Sequence, residues 1–186
     1  MHRMFKREQV LTIPNLLSLL RLLMIPLIIW LYCGQGNGYA AAAGVVLSGL
    51  TDVADGFIAR KFGMVSDLGK ILDPIADKLT QGALIFSLII RYDWMLWLLI
   101  LFVVKEVIMG VCGLIVIKKK DVVNSAQWFG KLSTAVLYFV MFLLFVFSGV
   151  PESVANGMIL LCAAALMLSL VNYLRFYYNL LNDQER

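Results

Sequence analysis

Residues 51–78 read TDVADGFIARKFGMVSDLGKILDPIADK and place charged side chains between strongly apolar segments. Asp52 and Asp55 are three residues apart, and Asp73 and Asp77 are four apart. If both segments are helical, each pair lies on one helix face, and two helices joined by a short turn would direct four carboxylates into one pocket. A charged side chain at membrane depth costs at least ~2.5 kcal/mol, so such a cluster indicates a functional site.

The residues around these carboxylates indicate the chemistry of that site. The stretch contains no His or Cys, and ligands that are all oxygen suit Mg²⁺, Mn²⁺ or Ca²⁺ rather than zinc. Gly56 and Ala59 lie near the helix face of Asp52, where small side chains allow a bulky ligand to approach the backbone. The planar guanidinium of Arg60 suits phosphate. The pattern therefore predicts a site for a metal-bound diphosphate, in which neutralisation of charge is the main task.

The composition of the whole chain indicates a membrane protein. Of 186 residues, 61% are hydrophobic and 15% are charged, and the mean hydropathy is +0.86. Six apolar runs can each cross a hydrocarbon layer that needs about 20 helical residues: 15–33, 39–60, 70–90, 94–117, 130–149 and 153–174. We therefore predict an all-α integral membrane protein of one domain over residues 1–186, with six transmembrane helices. Residues 1–14 suit a short helix at the membrane surface, and residues 175–186 form a cytoplasmic tail.

The distribution of basic residues predicts the orientation. The net charge is +4, and the positive side chains flank one set of connections: Arg3, Lys6, Arg7, Arg60, Lys61, Lys70, Lys118, Lys119, Lys120, Lys131 and Arg175. Only Arg91 lies in a connection on the opposite side. This asymmetry predicts that both termini and the aspartates face the cytoplasm, in the cytoplasmic membrane of the cell. Topology and attraction to anionic lipids account for the basic surplus without a nucleic-acid partner.

The spacing of the charged stretch resembles that of a known family. The residues that match are Asp52, Asp55, Gly56, Ala59, Arg60, Gly69, Asp73 and Asp77. They fit the pattern D-x2-D-G-x2-A-R-x8-G-x3-D-x3-D of the CDP-alcohol phosphotransferases without a gap. Pro14, Asn15, Ser18, Arg21 and Pro26 are similar to the opening of that family, P-N-x-L-S-x-x-R-x-x-x-x-P. The resemblance therefore covers both the charged stretch and the start of the first span.

The resemblance implies a membrane transferase that moves the phosphatidyl group of CDP-diacylglycerol onto a polar alcohol and releases CMP. It implies two Mg²⁺ or Mn²⁺ ions held by Asp52, Asp55, Asp73 and Asp77, with Asp77 also acting as the general base. It also implies a homodimer. The residues expected to bind the CDP-lipid are Asn15, Gly56, Ala59, Arg60 and Ser66. For Asn15, a helix N-cap is the simpler interpretation.

Three cations are candidate ligands for an acceptor phosphate: Lys105, Lys131 and Arg175. Lys105 with Glu106, and the segment WFGKLST at 128–134, resemble the phosphatidylglycerophosphate synthases of this family, which implies sn-glycerol 3-phosphate as the acceptor. Two features depart from that subfamily, because Lys105 replaces an Arg and a further Arg is missing after Glu106. An intrahelical ion pair for Lys105 and a role in topology for Lys131 are the plainer interpretations.

Other functions remain open from the sequence. A cardiolipin synthase of the same family, with phosphatidylglycerol as the acceptor, is the main alternative, and inositol phosphate is another acceptor. A cation-coupled transporter is a remote alternative, since carboxylates within the membrane also mark ion pathways. The clustering of the acids at one edge and the absence of an inverted sequence repeat count against it.

The orientation can be tested with reporter fusions. A topology reporter inserted at residue 36 should lie outside the cell, and one fused to the C-terminus should lie in the cytoplasm, because basic connections are retained on the cytoplasmic side. Labelling with an impermeant reagent in intact and broken cells measures both positions. Two reporters found on the same side would show that the orientation or the number of spans is wrong.

Overall fold

The computed structural model describes residues 12–62, 67–120, 127–147 and 149–182. Six α-helices make up most of these residues: α1 (Ile13–Ile29), α2 (Gly38–Phe62), α3 (Asp67–Leu88), α4 (Trp94–Lys120), α5 (Trp128–Val146) and α6 (Glu152–Asn182). A π-helical turn, Trp30–Gly34, extends α1. The ranges above contain no strand, so the prediction of an all-α protein with six helices is confirmed. The surface helix expected over residues 1–14 falls mainly outside the described residues.

Five of the six helices are long and apolar enough to cross a membrane. The exception is α3, whose 22 residues include five charged ones: Asp67, Lys70, Asp73, Asp77 and Lys78. The candidate spans are Ile13–Gly34, Gly38–Ile58, Trp94–Val116, Trp128–Val146 and Glu152–Asn182. The last helix continues to Asn182, so most of the tail predicted at 175–186 is helical. The chain is a multi-pass membrane protein, and α3 is the least apolar of the six helices.

The chain forms two compact units. In the first, α1, α2 and nearly all of α3 are joined by the last residues of α5, and the second consists of α4, the rest of α5 and α6. Within the second unit, α4 packs on α6.

In the first unit, small residues bring α1 and α2 close together. Ala41, Ala42 and Gly44 are buried, and a Cβ added to Gly44 would lie 2.9 Å from Cγ1 of Ile28 on α1. Small side chains permit this kind of close approach in membrane helices. These small residues therefore permit the close packing of α1 on α2 inside the first unit.

The start of α1 shows why Asn15 is not the cap of this helix. Thr12 has extended backbone angles, and its side chain accepts a hydrogen bond from the Asn15 backbone N–H at 3.4 Å. Pro14 occupies the first turn, where a missing N–H costs nothing. The N-cap interpretation of Asn15 is therefore wrong, since Thr12 has that role.

Gly38, the first residue of α2, lies against the backbone of α5. A Cβ at this position would overlap the Phe145 carbonyl oxygen, and the Phe145 ring packs edge-on against Tyr32 with centroids 4.5 Å apart. Backbone atoms cannot move aside as a flexible side chain can. Glycine is therefore required here by the space available.

Gly38→Ala should destabilise the folded protein by about 1–3 kcal/mol, the usual cost of overpacking a closely packed site. Gly49→Ala is the matched control, because Gly49 lies in the same helix and an added Cβ would meet nothing within 4 Å. That variant should be neutral or slightly more stable, since alanine favours helix by about 0.5–1 kcal/mol over glycine. Thermal unfolding of both variants in detergent checks this. Equal stability of the two variants would show that the Gly38 contact is not restrictive.

Candidate active site

The four predicted aspartates lie on two helices of the first unit. Asp52 and Asp55 are on α2, and Asp73 and Asp77 are on α3. Asp55 is buried, with 3% of its surface exposed, whereas half of the Asp52 side chain is exposed. Asp73 and Asp77 are intermediate. A carboxylate as buried as Asp55 needs a cation or hydrogen-bond donors next to it, because its desolvation is costly.

Arg21 of α1 supplies that cation. Its side chain is 2% exposed, with Nη1 lying 2.5 Å from Oδ1 of Asp52 and Nη2 lying 2.6 Å from Oδ2 of Asp55. The contact to Asp55 is a hydrogen bond, whereas Nη1 is close to Asp52 without hydrogen-bond geometry. A single guanidinium therefore bridges both carboxylates of the first pair. The sequence contained Arg21 within the opening motif, but nothing in its spacing indicated this contact.

Ser18, one turn before Arg21, connects the two aspartate-bearing helices. Its hydroxyl is fully buried and lies 3.4 Å from Oδ2 of Asp55, while on the other side it contacts Oδ1 of Asp73. It also lies 3.1 Å from the Pro14 carbonyl oxygen. Since a hydroxyl has one proton, it donates to one of these acceptors at a time. Ser18 and Arg21 together place three of the four carboxylates around α1.

Asp77 has a different set of neighbours on its own helix. Gln81, which is 1% exposed, donates a hydrogen bond from Nε2 to Oδ2 of Asp77 at 2.9 Å. The Gln81 Oε1 in turn accepts from Nζ of Lys78 at 3.4 Å. Gln81 follows Asp77 by four residues and thus shares its helix face. That spacing could have identified Gln81 from the sequence. A neutral amide within DKLTQGAL, however, gives a weaker signal than a charged residue.

The donor set suits a divalent ion of the magnesium or manganese type, which prefers carboxylate oxygen. The buried Asp55 and the half-exposed Asp52 already attract a cationic group, Arg21, which indicates that their environment favours positive charge. Within the described ranges, however, no three acidic, His or Cys side chains converge closely enough to hold an ion. In this arrangement Arg21 contacts Asp52 and Asp55, and Ser18 contacts Asp55 and Asp73.

The residues expected to bind the CDP-lipid are placed only in part. Asn15 is buried in the first turn of α1, and Gly56 follows Asp55 on α2. Ala59 and Arg60 belong to the last turns of α2, but their side chains are not among those described. Ser66 lies outside the described residues. The positions of these five in the site therefore remain expectations from the sequence.

The three cations expected to bind the acceptor phosphate belong to the second unit. Lys105 on α4 is 5% exposed and forms an ion pair with the next residue, Glu106, with Nζ 2.7 Å from Oε1. Lys131 is exposed near the start of α5. Arg175 is exposed on α6 and lines a cavity of about 600 Å³ with Cys112, Leu174, Tyr177, Tyr178, Asn179 and Leu181. Neither Lys105 nor Lys131 lines that cavity, so it does not bring the three cations together.

The start of α5, which carries Lys131, is held against α6 by an aromatic side chain. The hydroxyl of Tyr173 accepts a hydrogen bond from the Gln127 backbone N–H at 3.2 Å, and its ring packs edge-on to Phe129 with centroids 4.5 Å apart. A Cβ on Gly130 would overlap the Tyr173 hydroxyl. The glycine of the GK pair therefore allows α5 to begin close to α6, which sets the position of the Lys131 backbone.

Comparisons with known proteins agree with the motif. The profile of the CDP-alcohol phosphatidyltransferase family matches residues 11–171. A probable phosphatidylglycerophosphate synthase of Mycobacterium tuberculosis is 32% identical over 183 residues, which are 95% of this chain and 85% of the relative. A cardiolipin synthase (CMP-forming) of Streptomyces coelicolor is 33% identical over 148 residues, which are 76% of this chain and 68% of the relative.

A third relative matches over a shorter region. The CDP-diacylglycerol--glycerol-3-phosphate 3-phosphatidyltransferase of Rickettsia prowazekii is 42% identical over 80 residues, which are 41% of this chain and 44% of the relative. Two of these relatives are named as synthases and the third as a phosphatidyltransferase. The profile covers both aspartate pairs together with Ser18 and Arg21. The transporter alternative is therefore wrong. The chain is a membrane-embedded phosphatidyltransferase that belongs to the CDP-alcohol phosphatidyltransferase family.

Proposed function

We propose that this enzyme transfers the phosphatidyl group of CDP-diacylglycerol to sn-glycerol 3-phosphate, which gives phosphatidylglycerophosphate and CMP. The observation that carries the proposal is the cluster of carboxylates from α2 and α3 around Ser18 and Arg21. Support for the acceptor comes from the relatives in Mycobacterium tuberculosis and Rickettsia prowazekii, whose names state this reaction or its product.

In the proposed reaction, the acceptor hydroxyl oxygen forms a bond to the lipid-side phosphorus of the diphosphate. The bond from that phosphorus to the bridging oxygen breaks, and CMP leaves with the electron pair. Asp77 accepts the proton of the attacking hydroxyl, and the hydrogen bond from Gln81 holds its carboxylate in one orientation. Mg²⁺ or Mn²⁺ ions bound by the four aspartates would neutralise charge on the diphosphate and on the leaving CMP.

The nucleotide lipid would be bound by residues of the first unit. Gly56 and Ala59 have no bulky side chain and so allow a ligand to approach α2. Arg60, Ser66 and Asn15 provide polar groups for its phosphates and head group. The acceptor phosphate would interact with Lys105, Lys131 and Arg175. Glu106 fixes the position of the buried Lys105 side chain through the 2.7 Å ion pair.

A cardiolipin synthase is the second candidate, with the glycerol hydroxyl of phosphatidylglycerol as the nucleophile. The relative in Streptomyces coelicolor bears this name, and Lys105 replaces the Arg of the phosphatidylglycerophosphate synthases. Lys provides a point charge and cannot form the bidentate fork of Arg. Inositol phosphate is a further candidate acceptor and, like glycerol 3-phosphate, is a phosphorylated alcohol. The aspartate chemistry is the same in all three reactions, so only the acceptor distinguishes them.

The orientation with the site facing the cytoplasm and the homodimer both stay predictions. The dimer rests on the resemblance to the family, and a native mass measurement of the active protein in detergent decides it.

An acceptor assay tests the proposed reaction. Purified protein with CDP-diacylglycerol should release CMP when glycerol 3-phosphate is supplied, and not with inositol phosphate, serine or phosphatidylglycerol. Lys131→Ala should then raise KM for glycerol phosphate by at least tenfold and leave KM for the CDP-lipid within about twofold, because the lost contact involves the acceptor alone. Identification of the lipid formed completes the measurement. CMP release with phosphatidylglycerol alone would assign the cardiolipin reaction instead.

Asp77→Asn tests the general base. Turnover should fall by about 10²–10⁴-fold, the usual contribution of a positioned base, while CDP-lipid binding changes little, because a neutral amide preserves most ground-state contacts. The control is Asp93→Asn, an exposed acid in the connection between α3 and α4, which should behave as wild type. Activity should also vanish in excess chelator. Full activity in chelator would reject the metal, and normal turnover of Asp77→Asn would reject the base.

A further inference from the structure

Arg21 is a buried cation that the proposed chemistry does not use. Its guanidinium lies among carboxylates of α2, with 2% of its surface exposed. A charge this deeply buried is costly unless it is paired. Asp52 and Asp55 therefore stabilise the buried charge of Arg21. These two residues are also the proposed ligands of a divalent ion.

The charges of this group do not balance. Arg21 contributes one positive charge, while Asp52 and Asp55 contribute two negative charges when ionised, so the three side chains carry a net charge of −1. Asp73 is connected to Asp55 through Ser18 and adds further negative charge. Arg21 and the three carboxylates thus carry a net negative charge, which attracts a further cation.

The geometry of Arg21 indicates a contact that can be exchanged. Its Nε and Nη1 are buried but have no hydrogen-bond partner among the described residues, although Nη1 lies 2.5 Å from Asp52. The strongest arrangement of a guanidinium is a fork of two parallel hydrogen bonds to one carboxylate, whereas the two terminal nitrogens of Arg21 contact different carboxylates. Here charge attraction holds it to Asp52, and one aligned hydrogen bond holds it to Asp55.

We propose that Arg21 is the resident counter-cation of the carboxylate site. In the protein without metal it holds Asp52 and Asp55 together, and a divalent ion binds these carboxylates in competition with it. The inference rests on the proposed metal role of the aspartates. It adds that the metal-free site is held together by a side chain of α1, so that loading of the ion weakens the link between α1 and α2.

Removal of the charge has opposite effects under the two possible roles of Arg21. If Arg21 competes with the ion, a neutral residue removes both the competitor and the repulsion between two cations, and the metal affinity rises. If Arg21 only orients the ligands, the same change disorders Asp52 and Asp55, and the affinity falls. The sign of the change in affinity therefore separates competition from orientation.

The experiment compares full-length wild type, Arg21→Gln and Arg21→Lys in detergent without CDP-lipid. Each protein is purified in Mn²⁺ and then exchanged into chelator or into defined Mn²⁺ concentrations. Binding is followed by the electron paramagnetic resonance signal of free Mn²⁺, and stability by thermal unfolding. Arg91→Gln is the matched control, because Arg91 is exposed and lies over the ring of Tyr92.

We expect Arg21→Gln to bind Mn²⁺ at least tenfold more tightly than wild type. Its unfolding temperature should be lower than that of wild type in chelator, and the increase on adding Mn²⁺ should be larger, since the ion then provides the missing positive charge. Arg21→Lys retains a cation, so its affinity should stay within about threefold of wild type. Arg91→Gln should match wild type in both measurements.

Unchanged or weaker Mn²⁺ binding by Arg21→Gln would overturn the inference, and so would a failure of this variant to fold in saturating Mn²⁺. Equally tight binding by Arg21→Gln and Arg21→Lys would also contradict it, because charge would then not be the cause. Failure of the proposed metal role gives a different result, in which wild type neither binds Mn²⁺ nor gains stability from it.

Discussion

Charge compensation at Asp55 is the constraint on which the first unit depends. A carboxylate with 3% of its surface exposed is stable only with a cation or donors in contact. Those groups come from α1, where Ser18 and Arg21 occupy successive turns of the same helix face. Such contacts need a short distance between the helices, and Gly44 provides it by admitting Ile28 against the α2 backbone. The small-residue packing and the charged site are therefore parts of one arrangement.

The second unit meets the same constraint within one helix. Lys105 is buried on α4 and pairs with Glu106, the residue next to it. Adjacent residues normally point to different sides of a helix, so the pair forms only because both long side chains bend toward each other. In apolar surroundings a neutral pair costs less than an isolated ammonium group. The ion pair thus explains why a lysine is tolerated at this depth, whether or not it also binds a substrate.

The sequence was sufficient for features that repeat along one helix. Hydropathy predicted six helices, and the spacing of the acids placed each pair on one helix, as the structure has it. Contacts between helices were not predictable, because they depend on packing distance and rotation, and so the bridge from Arg21 to Asp52 and Asp55 was missed. Gln81 was missed for another reason. Its spacing from Asp77 was available, but a neutral amide in an apolar run gives a weak signal.

The acceptor must be selected by residues other than the aspartates, since every reaction considered for this family breaks the same diphosphate bond. Among the candidate ligands of the acceptor, Lys105 differs from a lysine without a partner. Glu106 lies 2.7 Å away, so the two opposite charges cancel when the pair is seen from a larger distance. A dianionic phosphate would be attracted by the ammonium and repelled by the carboxylate. Strong binding of a free phosphate therefore requires a change of that pair or further cations such as Lys131 and Arg175. A phosphodiester carries a single negative charge and needs less positive charge around it. Under the proposed role of Lys105, its pairing with Glu106 therefore bears on which acceptor binds.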